Sequence, residues 1–234
     1  MPIAKTEAFV LKSMKYGETS KIVTLFTKDF GKLNAIVKGA RNYKSKLCGT
    51  LESMNYIRAV IYMKESRELQ MISSAEYINS FTNIQSNFEK LQASFKIIDI
   101  LNRSIINSDI NKNLFDILLR TISKLNNSEK NLRLYILNFQ IELSKILGIS
   151  PDFNDFNSNN ETFFRINEFY VNTSLFNSLM LIEKCAFEEL EKLEVDNEIT
   201  CNLINTYERY LMKHTLGANY YKSTKVFQEL NYYI

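Results

Sequence analysis

The chain has 234 residues, 45% of them hydrophobic and 24% charged, with a formal net charge of +3. This is enough for one large or two small domains around a real core, and it excludes a disordered or low-complexity chain. No apolar run reaches the roughly 18 residues of a bilayer-spanning helix, and Lys5, Glu7 and Lys12 interrupt the opening MPIAKTEAFVLK where a secretory leader needs unbroken apolar sequence, so a cytoplasmic protein without a membrane partner is expected.

The total charge conceals an asymmetry. Residues 1–70 hold 13 basic and 6 acidic side chains, a balance of +7, which leaves the rest of the chain at −4. A basic N-terminal part suggests a polyanion-binding module joined to a module with a different task. Cys48, Cys185 and Cys201 are odd in number and lack a C-x-x-C pair, which argues against both a disulfide framework and a zinc ribbon.

In chain order, residues 3–80 read as five strands. Thr6 to Met14 alternates loosely, Tyr16-Gly17-Glu18 makes a turn, Ser20 to Thr27 is β-branched and apolar, and Lys28-Asp29-Phe30-Gly31 makes a second turn, giving a meander. The third strand begins at Gly31 with Leu33, Ala35 and Val37 on one face. It runs into GARNYKSK, where Lys38, Arg41, Lys44 and Lys46 follow one another with no acidic residue and Gly39 permits a turn. The pattern predicts a mobile basic loop, suited to holding phosphates by displacing condensed counterions. Tyr56 to Lys64 then alternates sharply. Ile57, Ala59, Ile61 and Met63 form a core face, while Tyr56, Arg58, Tyr62 and Lys64 interleave aromatic and cationic groups on the other, as a base-stacking surface or a solvated strand face would. Leu69 to Tyr77 completes the set. These strands fit a Greek-key barrel of the OB type, with an SH3-like barrel as the alternative.

From residue 81 the period changes from two to about 3.6. Ile84, Phe88, Leu91, Phe95, Ile98, Leu101 and Ile105 predict one long helix with a buried stripe. Further helices are predicted at Leu114 to Leu125, at Glu129 to Leu147 with Gly148 and Pro151 ending it, at Leu175 to Leu193, at Glu198 to Leu216, and near Thr224 to Leu230. Residues 150–175, rich in Asn, Asp and Phe, predict a loop with a short hairpin. The expected fold is α+β, a five-stranded OB-type barrel over residues 1–80 and a helical domain over 81–234 with a hairpin insertion.

Catalytic chemistry is poorly represented. His214 is the only histidine, in a last helical turn where an imidazole favours the dipole, and no H-E-x-x-H, G-x-S-x-G or G-x-G-x-x-G occurs. Gly39 to Ser45 looks like a phosphate-binding loop that lacks its second glycine before Lys44-Ser45, and no helix start follows, so nucleotide hydrolysis is not expected.

Tyr16-Gly17-Glu18, Ser20, Thr24-Leu25-Phe26-Thr27, Phe30-Gly31-Lys32 and above all Lys38-Gly39-Ala40-Arg41 with Lys44-Ser45 resemble the N-terminal domain of the RecO family of bacterial DNA repair proteins. His214-Thr215-Leu216-Gly217 with Lys222-Ser223 is similar to that family's end. The resemblance implies a non-enzymatic recombination mediator that binds single- and double-stranded DNA, anneals complementary strands, works with RecR, and helps RecA replace single-strand-binding protein, in the cytoplasm at the nucleoid. It makes Lys38, Arg41, Lys44 and Lys46 the DNA-binding candidates, to which the strand reading adds Arg58 and Lys64. It also implies a groove for the acidic, apolar-ended tail of single-strand-binding protein, whose rim Arg120, Lys124, Lys130 and Arg133 are placed to supply. Many relatives carry a four-cysteine zinc module where residues 148–175 here have no cysteine, so this segment reads as a degenerate counterpart held by Phe153, Phe156, Phe163, Phe164 and Phe169, and no cofactor is expected. An RNA-directed enzyme or modification cofactor on an OB barrel, and a protein-binding adaptor, are the competing readings.

Overall fold

The structure is a computed structural model that describes residues 2–43, 45, 47–64, 66–151, 164–166 and 169–216. Lys44, Lys46, most of the Phe-rich segment, Lys222-Ser223 and the helix predicted near Thr224 lie outside the described residues. Two compact units divide the chain, Met1–Asn126 and Asn127–Ile234.

The first unit begins with five strands, β1 (Ile3–Tyr16), β2 (Ser20–Thr27), β3 (Gly31–Val37), β4 (Tyr56–Tyr62) and β5 (Leu69–Asn79), which close into a barrel in the order β1-β2-β3-β5-β4. Closure depends on β1, whose first half pairs antiparallel with β4 and whose second half pairs with β2, the register shifting between Val10 and Lys12. Such a bulge bends a strand and increases its twist, which lets one strand serve two neighbours. The β3–β5 pairing is parallel, so the closed five-stranded barrel has the Greek-key strand order of an OB fold. Inward residues Ala8, Val10, Val23, Leu25, Leu33, Ala35, Val37, Ile57, Ala59, Ile61 and Ile72 fill it, as the period-two pattern requires.

One outer flank of the barrel is sealed. Helices α1 (Thr82–Ser86), α2 (Phe88–Ser104) and α3 (Lys112–Asn127) follow the strands. Phe115 of α3 lies 5.7 Å from the rings of both Phe9 and Phe26 and 6.2 Å from Tyr56, while Phe9 stacks on Tyr56 at 4.9 Å and near Phe81 at 6.2 Å. Gly31, at φ +64°, belongs to this flank too, since a Cβ there would come within 2.1 Å of the Asp109 carbonyl oxygen. Next to it, the half-buried Lys32 ammonium donates to the carbonyls of Asn102 (2.5 Å) and Ile105 (3.1 Å), the open end of α2. Burial holds the Lys32 pKa below its ordinary value.

The sequence predicts one helix over the stripe from Ile84 to Ile105, and the structure breaks it at Asn87. That residue is extended, and its side chain accepts from the Lys90 amide to cap a new helix. The phase therefore changes. Phe88 is 71% exposed and Phe95 45% exposed, while the buried face of α2 is Lys90, Ala93, Ser94, Ile97, Ile98, Ile100, Leu101 and Ser104.

The second unit is built on α4 (Leu132–Ile146) and α6 (Asn197–Leu216). Leu134 to Ile141 of α4 are all buried; inside, Gln140 donates to the Ile204 carbonyl at 3.1 Å while its Oε1 has no partner among the described residues, and Ser144 pairs with the Tyr207 hydroxyl at 3.0 Å. Gly148 (φ +69°) donates to Lys145 and Ile149 to Ser144, a Schellman stop at the predicted position. The predicted hairpin is present as β6 (Phe164–Ile166) paired antiparallel with β7 (Phe169–Val171). The helix predicted over Leu175 to Leu193 is instead α5 (Thr173–Lys184) and a 3-10 helix, Phe187–Lys192, separated by Cys185 and Ala186 in extended conformation. No Gly or Pro marks that break in the sequence.

Candidate nucleic-acid interface

The basic loop is anchored rather than mobile over its described part. Ala40 and Leu51 are fully buried in the barrel core, so the loop folds back over the barrel end. Successive turns link Asn42 to Gly39, Ser45 to Asn42 and Cys48 to Ser45 by backbone hydrogen bonds. Arg41 ties this loop to the β1–β2 turn, its amide donating to the Thr19 carbonyl at 2.9 Å and its guanidinium to the Gly17 carbonyl at 2.6 Å. A carbonyl partner fixes the guanidinium without neutralising it, so the positive charge stays available in the exposed side chain.

The cations of the barrel fall into two groups. Lys12, Lys15 and Lys38 are exposed, and among the described residues none forms an ion pair. Sequence reasoning singles out Lys38 but not Lys12 or Lys15. The signal for Lys12 is the Lys12, Met14, Tyr16 alternation at the end of β1, which the predicted turn at Tyr16 obscures, and Lys15 lies on the opposite parity of that strand.

On the other side, charges are matched. Arg58 lies 3.1 Å from Glu76 and 3.9 Å from Glu7, and Lys28 and Lys112 pair with Asp116 (3.7 Å) and Asp29 (3.8 Å). A shallow cleft of about 350 Å3 is lined by Lys5, Thr6, Glu7, Lys28, Asp29 and Arg58, so two carboxylates stand among its three cations. Two carboxylates answer Arg58, which weakens its hold on a phosphate relative to the unpaired lysines. Tyr56, expected to share an outer stacking face with Arg58, is 6% exposed in the aromatic cluster, and its hydroxyl donates to Glu7 at 2.6 Å. Burial, with that hydrogen bond, pushes its pKa well up. Tyr62 is half-buried and Lys64 is exposed just beyond the end of β4.

Of the residues expected at a tail-binding rim, Arg120 and Lys124 lie on α3 in the first unit, and Lys130 and Arg133 lie in the second, where Arg133 donates to the Asn197 side chain at 3.2 Å. His214 is exposed on α6 with its ring 4.4 Å from that of Tyr210. Among the described residues no group of three His, Cys, Asp or Glu could hold a metal ion, and residues 148–175 contain no cysteine, so the donors present do not fit a four-cysteine zinc module. No described helix is long and apolar enough to cross a membrane.

The sequence of the barrel and of the helices after it has counterparts among known proteins. The family described as recombination protein O, N terminal, matches residues 1–81, and recombination protein O, C terminal, matches residues 85–224. The chain is 38% identical over 151 residues to the DNA repair protein RecO of Chloroherpeton thalassium, covering 64% of this chain and 58% of that protein. It is 37% identical over 152 residues to the RecO of Salinibacter ruber and 36% over 149 residues to that of Chlorobium limicola, each match covering 64% of this chain and 57% of the relative. The matches thus span little more than half the length of these relatives. Since the two family domains together run from residue 1 to residue 224, the chain belongs to the RecO family.

Proposed function

We propose that the protein is a DNA repair and recombination mediator that binds single- and double-stranded DNA through the basic side of its barrel and makes no covalent change in it. The observation that carries this reading is the separation of charge on the barrel: among the described residues Lys12, Lys15 and Lys38 form no ion pair, and Arg41 is tied to the β1–β2 turn, whereas Arg58, Lys28 and Lys112 are matched. Cations without a carboxylate partner release counterions from a phosphate backbone, and contacts to phosphates read no sequence. Lys44 and Lys46 continue the same run of sequence.

The names of the relatives support the repair role. Annealing of complementary strands, cooperation with RecR, and loading of RecA onto DNA covered by single-strand-binding protein, at the nucleoid, are the finer parts of the proposal. The acidic tail of single-strand-binding protein would engage cations from Arg120, Lys124, Lys130 and Arg133. Because the pairs belong to different compact units, Arg120→Glu and Arg133→Glu should be tested separately in the full chain with a labelled tail peptide. Undiminished binding in both strikes these residues from the site.

The deciding experiment is a titration of mixed-sequence single-stranded DNA at several salt concentrations. Replacing Lys38 and Arg41 together by Ala should lower the log–log salt slope by about 1.4, at about 0.7 per phosphate contact. An unchanged slope in the folded variant refutes the interface. Binding without any salt dependence would favour a protein-binding adaptor, and strong preference for structured RNA would favour an RNA-directed role.

A further inference from the structure

Part of the stripe that the sequence reads as helix core faces water in the structure. Phe88 is 71% exposed, Phe95 is 45% exposed, and Leu91 between them is half-buried. At i, i+3 and i+7 of α2 they lie one above another on a single face, which the exposed Gln92 and Asp99 share. The opposite face, with Ala93, Ile97, Ile100 and Leu101, is buried. The helix is therefore apolar on two sides, and the fold uses one of them. Aromatic side chains present roughly 200 Å2 each, so the two rings leave about 230 Å2 of apolar surface in water. A single exposed apolar side chain is ordinary, but a contiguous row on one helix face marks a docking surface.

The occupant is specified by the symmetry of the row. Phe88 lies three residues before Leu91 and Phe95 four after it. An antiparallel copy of the same helix, related by a two-fold axis close to Leu91, therefore sets Phe88 of one copy against Phe95 of the other at both ends, with Leu91 against Leu91 in the middle. The charges follow the same symmetry. Glu89 comes directly after Phe88 and Lys96 directly after Phe95, on one side of the row. A two-fold axis across the helices keeps them on that side, so the carboxylate of one copy comes beside the ammonium of the other, twice over. Asp99 is already held by Arg103 at 2.6 Å and adds no net charge to the face. A polyanion or an acidic peptide laid on this helix would instead meet Glu89 and Asp99.

We infer that the Phe88–Leu91–Phe95 face of α2 is a self-association surface, on which a second copy of this chain docks its own α2 antiparallel. The rings contribute about 460 Å2 to such a contact, a fraction of the roughly 1,200 Å2 at which stable interfaces begin, so the pair forms and separates with concentration. Resting on the annealing role proposed above, the pair gathers two DNA-binding barrels, each with its own strand, into one particle.

The contact is tested on the full chain without DNA. Sedimentation velocity should show monomer giving way to dimer as concentration rises, and Phe88→Ser plus Phe95→Ser should weaken the association by more than roughly tenfold, as loss of central aromatic anchors does. Both rings are substantially in water, so the variant is expected to keep the native circular dichroism and melting temperature. Register is tested separately. Leu91→Cys, in a chain whose exposed Cys48 is replaced by Ser, should form a disulfide between copies on mild oxidation, and Phe88→Ser plus Phe95→Ser should abolish it. A chain that stays monomeric at every concentration, a dimer that the double variant leaves intact, or a Leu91→Cys chain that cross-links no faster than the Cys48→Ser parent overturns the contact. The folded double variant should bind DNA with the native salt slope and anneal complementary strands more slowly. An unchanged annealing rate removes the annealing role from the contact, while a dimer that binds no DNA overturns the DNA-binding reading and leaves the contact standing.

Discussion

The two outer flanks of the barrel are made by the same strands and treated in opposite ways. On one, Phe9 and Phe26 face outward with Tyr56 and are covered by Phe115 and Phe81. On the other, a few residues further along β1 and β2, Lys12, Met14, Tyr16 and Ile22 face outward and are left partly or wholly in water. The difference lies in what the chain can supply as a cover. The aromatic surface of the sealed flank is matched by the apolar stripe of α3, and the Lys32 ammonium there is met by the carbonyls of Asn102 and Ile105, whereas the described residues offer Lys12 and Lys38 no such acceptor. This barrel thus has one flank closed by its own helices and another left partly open to water.

The sealed flank can be broken most severely at Phe115. Phe115→Ala should cost about 3–5 kcal/mol of stability, measured by denaturant unfolding, because a fully buried ring is lost from a cluster that cannot collapse. A loss below about 1 kcal/mol would mean that α3 does not seal the barrel. Next in size is Gly31→Ala, for which we expect about 1–3 kcal/mol from backbone strain alone, plus the clash with Asp109. Gly39 has a similar φ of +69°, and a side chain there would meet nothing within 4 Å of its Cβ. Gly39→Ala should therefore cost less, and the difference measures how tightly the sealed flank is docked.

A third test uses pH. Tyr56 has its pKa raised by burial first and then by its hydrogen bond to Glu7, above a reference of 10.0. The unfolded chain loses that proton near the reference value while the native chain keeps it, so the stabilisation is complete below pH 10.0 and declines as pH rises beyond it, by at most about 1.4 kcal/mol per pH unit for one group. Tyr56→Phe should make the alkaline decline shallower in thermal melts across that window. An identical pH slope in the variant would show that Tyr56 is not held protonated by the sealed flank. The smallest effect is expected from Arg58→Ala. With Glu7 and Glu76 already beside it, its removal should change the DNA salt slope by much less than the 0.7 or so of one phosphate contact. A full contact's worth of change would place DNA across both flanks.

The barrel is legible in the sequence because β4 alternates sharply, β3 sets Leu33, Ala35 and Val37 on one face, β2 is β-branched and apolar, and glycine marks the turn at Gly31. The positions of Lys38 and Arg41 next to a strand end are legible for the same reason. Periodicity says that Tyr56 points away from the barrel interior, but not that a helix some sixty residues later in the sequence covers it. The Phe88 and Phe95 stripe fails at Asn87, where a side-chain cap restarts the helix in a different phase.

Phe115, Gly31 and Lys32 together also govern how this protein can be recombined with its own kin. A barrel cut out at residue 80 takes Phe9, Phe26 and Tyr56 with it and leaves behind the ring that covers them, the loop that Gly31 abuts and the helix end that Lys32 caps. Grafted onto the helices of a distant relative, it would meet a foreign lid cut to other side chains. The transferable cassette therefore extends through α3 to about residue 126, and a change in the ring cluster on the strands has to be matched by a change in α3.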